Sequence, residues 1–193
     1  GSGNQAFGRE ALKGNTNGSY NIASGYQAMS SGPNTGNHNN ASGYRALYSN
    51  TTGYNNTASG YQSLYSNTTG EHNVASGSQS LYANTTGSYN MASGYQAMGS
   101  GTNTGDDNIA SGYRTLYSNT SGSHNQAFGR DALKGNTTGS YNQASGYNAL
   151  YNNANGSYNI ASGYQAMSSG TNTGNYNVAS GYQSLHSNTS GAS

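Results

Sequence analysis

Apolar and polar positions along this chain repeat with a period of 17 residues, lengthened three times to 18. Counted from each Gly that opens a Gly-x-x-Asn motif, the units begin at Gly1, Gly18, Gly36, Gly53, Gly70, Gly87, Gly105, Gly122, Gly139, Gly156 and Gly174. Their common form is G-S-Y-N-x-A-S-G-Y-Q-A-L-Y-S-N-T-T, with places called positions 1 to 17. A fixed period of this length marks a solenoid in which each unit is one coil stacked on the last. The expectation is a single all-β domain, residues 1–193, forming a β-solenoid of eleven coils.

Four columns never vary: the opening Gly, the Asn at position 4, the Ala at position 6 and the Gly at position 8; position 12 is always Leu or Met. Position 5 drifts freely through Gln5, Ile22, Asn40, Thr57, Val74 and Met91, so the fixed columns are read as structural. Asn21, Ala23, Gly25, Met29, Leu47 and Leu64 represent them. Leu and Met belong inside, and Ala marks a place where nothing larger fits. Stacked Asn amides can form a hydrogen-bonded ladder. Both Gly columns fit turns needing positive φ or close backbone approach. Between them, N-x-A-S predicts one brief strand. After the second Gly, Y-Q-A-L-Y alternates Tyr, Ala and Tyr with Gln and Leu, which predicts a second short strand. No 3.6-residue apolar stripe survives two units, and Gly and Asn recur too often for helix.

The three longer units carry Met29, Met98 and Met167 and recur every 69 residues, with the extra residue expected in a turn. A second variant, A-F-G-R-E-A-L-K-G at Ala6 to Gly14 and A-F-G-R-D-A-L-K-G at Ala127 to Gly135, adds a local ion cluster on a solvated face. Charge is scarce over the whole chain, these clusters included: six Lys and Arg stand against five Asp and Glu. Such a chain has no basic field to hold phosphates, so no nucleic-acid partner is expected. The absence of Cys excludes a disulfide framework and thiolate chemistry. No apolar run approaches the roughly 20 residues that cross a bilayer as helix, so no membrane insertion of this segment is expected.

The G-x-x-N-x-A-S-G-Y-Q-A-L pattern resembles the head repeats of YadA-type trimeric autotransporter adhesins, a left-handed β-roll whose shorter units carry G-x-x-S-x-A-I-G-x-x-A. It is more closely similar to the Y-Q-A-L-Y-S-N-T-T-G repeats of phage tail fibres and bacterial surface proteins, which often end in an intramolecular chaperone domain. The resemblance spans all eleven units. It implies a homotrimeric, extracellular fibre that attaches to cells. This chain departs from it in its 17-residue units, in Asn for Ser, and in showing neither a membrane anchor nor a chaperone domain.

No catalytic constellation is recognisable, so the chain is not read as an enzyme and no cofactor or metal is expected. His38, His72 and His124 share position 3 and His186 lies at position 13, none beside a repeated carboxylate or nucleophile. Asp106 and Asp107 lack the ligand loop of a calcium site. Two columns remain as binding candidates. Tyr20, Tyr89, Tyr141, Tyr158 and Tyr176 at position 3, flanked by Asn, Ser and Thr, suit a neutral cell-surface carbohydrate. Tyr also forms files at positions 9 and 13. Thr16, Thr51, Thr68, Thr85, Thr120, Thr137 and Thr189 form a file that a competing reading assigns to ice binding. A third reading is a mechanical spacer with no ligand.

Overall fold

The computed structural model, described for residues 1–190, is all-β. Eleven three-residue strands form one parallel sheet in chain order. They are β1 (Gln5–Phe7), β2 (Ile22–Ser24), β3 (Asn40–Ser42), β4 (Thr57–Ser59), β5 (Val74–Ser76), β6 (Met91–Ser93), β7 (Ile109–Ser111), β8 (Gln126–Phe128), β9 (Gln143–Ser145), β10 (Ile160–Ser162) and β11 (Val178–Ser180). Register is one coil to one coil, so Ala23 pairs with Ala6 below and Ala41 above. From β2 to β11 each strand thus has its central Ala pointing inward and its flanking residues pointing out, as strand alternation requires, while Ala6 in the end strand β1 is exposed.

The second strand expected at Y-Q-A-L-Y does not form. That segment is a continuous turn in which positions 10 and 12 are left-handed, with Gln27 at φ 53° and Met29 at φ 50°. Ala28 and Met29 consequently both face the core, whereas a strand would send them to opposite sides. Left-handed backbone costs an L-residue roughly 1–2 kcal/mol. The compensation is directional. Gln27 N–H donates to the Arg9 carbonyl of the preceding coil at 2.9 Å, and Met29 N–H to the Ala46 carbonyl of the following coil at 3.0 Å. One segment therefore hydrogen-bonds in both directions along the stack.

The core of each inner coil is small: Ala at position 6, a small residue at position 11, Leu or Met at position 12, and two Asn. The inner Leu and Met side chains from Met29 to Met167 are at most 1% exposed, whereas Leu185 in the last coil is 48% exposed. The Asn ladder at position 4 is present, and a second ladder at position 15 runs beside it. Asn39 Nδ2 and Asn50 Nδ2 both donate to the Gly53 carbonyl, at 2.9 and 2.8 Å. Asn67 and Asn84 extend the second ladder, each donating to the Asn Oδ1 of the coil before at 2.8 Å. In the first ladder, Asn90 Oδ1 accepts from both the backbone and the side chain of Asn108, each at 3.0 Å.

The two Gly columns serve different needs. A Cβ at the opening Gly53 would enter the carbonyl oxygen of Gly70, although its φ is not positive. At Gly25, φ is +136° and a Cβ would also lie 2.5 Å from the Gly43 oxygen. In the long coils the insertion sits between Met29 and Asn34, where four residues replace two, and one residue is lost before Gly36. Asn34 turns its Oδ1 onto the Gly36 N–H at 3.0 Å. The second ladder breaks there, leaving Asn15 Oδ1 and Asn34 Nδ2 buried without partners; the pairs Asn84–Asn103 and Asn153–Asn172 repeat this.

Asn90→Ala should leave the Gly105 carbonyl, the Asn108 backbone N–H and the Asn108 amide short of a partner at once. Each unpaired buried group costs roughly 1–3 kcal/mol. Urea unfolding should show destabilisation well above that of Thr86→Ala, an exposed turn position. Equal midpoints for the two variants would mean the ladder does not hold the coils.

Candidate binding surface

Position 3, preceding each strand, is left-handed in every coil from the second to the last, from Tyr20 at φ 56° to Tyr176 at φ 60°. This throws its side chain outward, and the five Tyr of the file are 46–58% exposed. Parallel register then stacks them on their neighbours. Tyr141 and Tyr158 have centroids 4.9 Å apart with planes 3° from parallel, and Tyr158 and Tyr176 lie 5.0 Å apart. His residues take part: Tyr20 stacks on His38 at 5.1 Å, His72 on Tyr89 at 4.9 Å and His124 on Tyr141 at 4.7 Å. A sugar ring inserted between two such rings would need a gap of about 7–8 Å, twice a carbon–carbon contact. Along most of this file, therefore, ring faces are covered by the coils above and below. What reaches solvent is a row of ring edges and phenol hydroxyls.

Positions 9, 10 and 13 form a second exposed face. Tyr26, Tyr44 and Tyr61 stack at 5.2 Å per step, as do Tyr48, Tyr65 and Tyr82 at 5.1 Å. Between the two files runs a side-chain amide ladder, including Gln96 Nε2 to Gln79 Oε1 at 2.9 Å. All six cationic side chains lie at these three positions. Arg45 places its guanidinium 5.3 Å from the Tyr44 ring and 5.4 Å from the Tyr48 ring, so one side chain reaches both files. Asp131, almost buried, sits 3.3 Å from Arg114, 3.4 Å from Arg130 and 3.6 Å from Lys134. The Glu10 carboxyl is held below its ordinary range, first by the hydrogen bond from Gln27 Nε2 at 2.6 Å and then by Lys13.

The Thr file lies in turns. Thr51 and Thr68 Oγ1 donate to the carbonyls of Thr68 and Thr85 at 2.9 Å, and Thr137 to that of Ala154 at 2.8 Å. Thr16, Thr85 and Thr120 donate to the next coil in the same way. Thr189 receives a backbone N–H and a hydroxyl from Thr173. The six hydroxyls from Thr16 to Thr137 are thus tied to the backbone of the next coil and present no free row of donors. The outer strand face carries positions 5 and 7, with no charged residue in any of the eleven strands and with Ile22, Val74, Met91, Ile160, Val178, Phe7 and Phe128 exposed. Among the described residues, no group of three His, Cys, Asp or Glu side chains is placed to hold a metal ion.

No family model, curated protein or solved structure matches this chain.

One part of the surface has a distinct titration. Tyr54 replaces Ser at position 2 and meets His72 edge-on at 5.3 Å. Its phenol pKa is raised, first by the hydrogen bond to Glu71, then by partial desolvation and the carboxylate charge. A phenol raised in the folded state adds stability below its unfolded pKa, and that stability is lost as pH rises through the folded value. Spectrophotometric alkaline titration should show the Tyr54 phenol ionising at higher pH in the parent chain than in Glu71→Gln. An unchanged titration in that variant would place the cause elsewhere.

Proposed function

We propose that this chain is a stiff segment of an extracellular fibre, on a bacterial surface or a phage tail, that attaches to cell-surface glycans by repeated weak contacts. The observation that carries this reading is the position-3 file. Tyr20, Tyr89, Tyr141, Tyr158 and Tyr176 are held outward by left-handed backbone and spaced by the coil rise, with His38, His72 and His124 between them. Because ring faces are largely covered, each of the five Tyr-bearing coils offers a phenol hydroxyl, ring edges and neighbouring Asn and Ser groups. Such a shallow site supports only modest affinity. Repetition along a rigid rod turns modest affinity into avidity without new contacts.

Self-association into a homotrimer belongs to the same proposal. An uncharged outer strand face with exposed Ile, Val, Met and Phe is a surface that a second copy would cover without desolvating a charge. Light scattering should then give three times the 19.8 kDa chain mass. A stable monomer at micromolar concentration would remove the trimer from the account.

The adhesive reading is tested by glycan-array binding of the chain displayed in clusters. Replacing the five position-3 Tyr by Ser, one after another, should weaken binding stepwise while circular dichroism stays β-type. A clustered, folded chain that binds no glycan would leave it a mechanical spacer. Thermal hysteresis in that same sample would favour the ice-binding alternative.

A further inference from the structure

Both Tyr files on the second face are interrupted by a small residue at adjacent coils, Ser78 and Gly99, and no other adjacent pair of coils interrupts both files with small residues. At position 13 the file runs Tyr48, Tyr65, Tyr82, then Gly99, then Tyr117. The hydrogen bond from Ser100 N–H to the Tyr117 carbonyl, 3.0 Å, repeats that from Ser66 to Tyr82 and fixes Gly99 at position 13. Tyr82 is stacked by Tyr65 on one side only, and Tyr117 has no ring partner. Two coil steps separate these rings, about 10 Å at the spacing of paired strands. That gap admits one ring at the spacing the file itself keeps, 5.1 Å between Tyr65 and Tyr82. At position 9 the same occurs one coil earlier: Ser78 stands between Tyr61, stacked only by Tyr44, and Tyr95, stacked only by Tyr113.

The molecule shows that such a gap takes a flat group. Where Arg130 interrupts the position-9 file, its guanidinium lies 5.3 Å from the Tyr113 ring and 5.8 Å from the Tyr147 ring. At Gly99 no side chain fills the equivalent space, and a groove of about 330 Å³ opens over it, with Tyr82, Tyr117, Gln79 and Gln96 among its walls. This volume is at the lower end of ligand-sized sites. Its lining carries no charge, and Gln79 and Gln96 lie between the two interruptions, joined to each other by one amide hydrogen bond. The remaining amide valences can serve hydroxyl groups.

From this we infer that the groove over Gly99 is a specific carbohydrate site, in which one neutral pyranose ring stacks between Tyr82 and Tyr117 while Gln79 and Gln96 hydrogen-bond its hydroxyls. A longer glycan continues across the Gln pair toward the second interruption at Ser78. The inference rests on the glycan reading for its ligand class and places a single defined site on a face other than the position-3 file. Unlike that file, the groove offers two uncovered ring faces, so it binds a free saccharide without clustering. The other long coils lack this pair of walls: Ser30 lies between Lys13 and Tyr48, and Ser168 between Tyr151 and His186.

The test is amide chemical-shift mapping of the full chain, with the methyl glycosides and linear trisaccharides of glucose, galactose, mannose and N-acetylglucosamine as probes. At least one probe should shift Gly99 and Gln96, with the trisaccharide binding more tightly than its monosaccharide. Gly99→Tyr completes the ring file and should abolish those shifts; a Cβ there lies 3.0 Å from the Gln79 carbonyl oxygen, a tight contact, so a cooperative melt is required of this variant too, and Ser30 and Ser168 occupy the equivalent position in the other long coils. Tyr117→Ala removes one wall without adding bulk and should weaken binding with the thermal melt still cooperative. No probe shifting Gly99 or Gln96, or undiminished binding in either folded variant, overturns the inference. The position-3 Tyr-to-Ser variant separates the two proposals. Binding lost there but kept in Gly99→Tyr contradicts this site and leaves the repeated surface standing, and the reverse supports this site alone.

Discussion

The carbonyl of an opening glycine typically receives two side-chain amides, one from each Asn ladder, while the Asn oxygens of position 4 accept the backbone N–H of the next coil's Asn. The rest of the structure depends on this exchange. A coil of 17 residues encloses too little space for a large apolar core, and its interior is Ala, one Leu or Met and two amides. The turns supply only part of their own hydrogen bonding, as from Asn67 N–H to the Leu64 carbonyl at 3.2 Å, and many of their other backbone groups point along the stack. Asn fits because one short side chain both donates and accepts. A hydrophobic replacement would fill the volume and leave several buried backbone groups unpaired. The same requirement fixes the two Gly columns: coils held this closely have no room for a Cβ against the carbonyl above.

Much of this was legible in the sequence. The period gave the solenoid, the fixed Ala and Leu or Met columns gave the core, and position 4 announced an amide ladder. The second ladder was hidden because position 15 changes its distance from both Met29 and Gly36 in the long coils, so its column looks broken in a simple alignment. The false second strand has a clear cause. Tyr-Gln-Ala-Leu-Tyr has the composition and alternation of a strand, but the conformation there is set by the need of successive N–H groups to reach opposite neighbours. Left-handed Gln and Leu residues leave no composition signal. Of the candidate surface, the exposure of the position-3 file followed from its variability. The covering of its ring faces did not, because that depends on the coil rise.

Stacking that stabilises the rod also limits what the rod can recognise. Rings about 5 Å apart satisfy one another, and the surface becomes a uniform row of edges. A particular ligand needs a place where the repeat fails. Gly99 and Ser78 are such places, each exchanging a Tyr for a small residue within a file that is otherwise continuous around it. The long coils show the structural side of the same irregularity: their insertions interrupt the position-15 ladder and leave an amide pair unpartnered. Regular coils thus carry stiffness, while departures from regularity carry individuality.

The most direct test of the account is hydrogen exchange of individual amides, backbone and Asn side chain together, followed along the whole chain. If the paired Asn exchange holds the stack, the Asn Nδ2 protons of the inner coils should be protected to a degree similar to the strand amides of the same coils, with loss confined to the end coils and to Asn34, Asn103 and Asn172. Inner Asn side-chain protons that exchange as fast as exposed amides, beside protected strand amides, would contradict it and leave the strands alone holding the coils together.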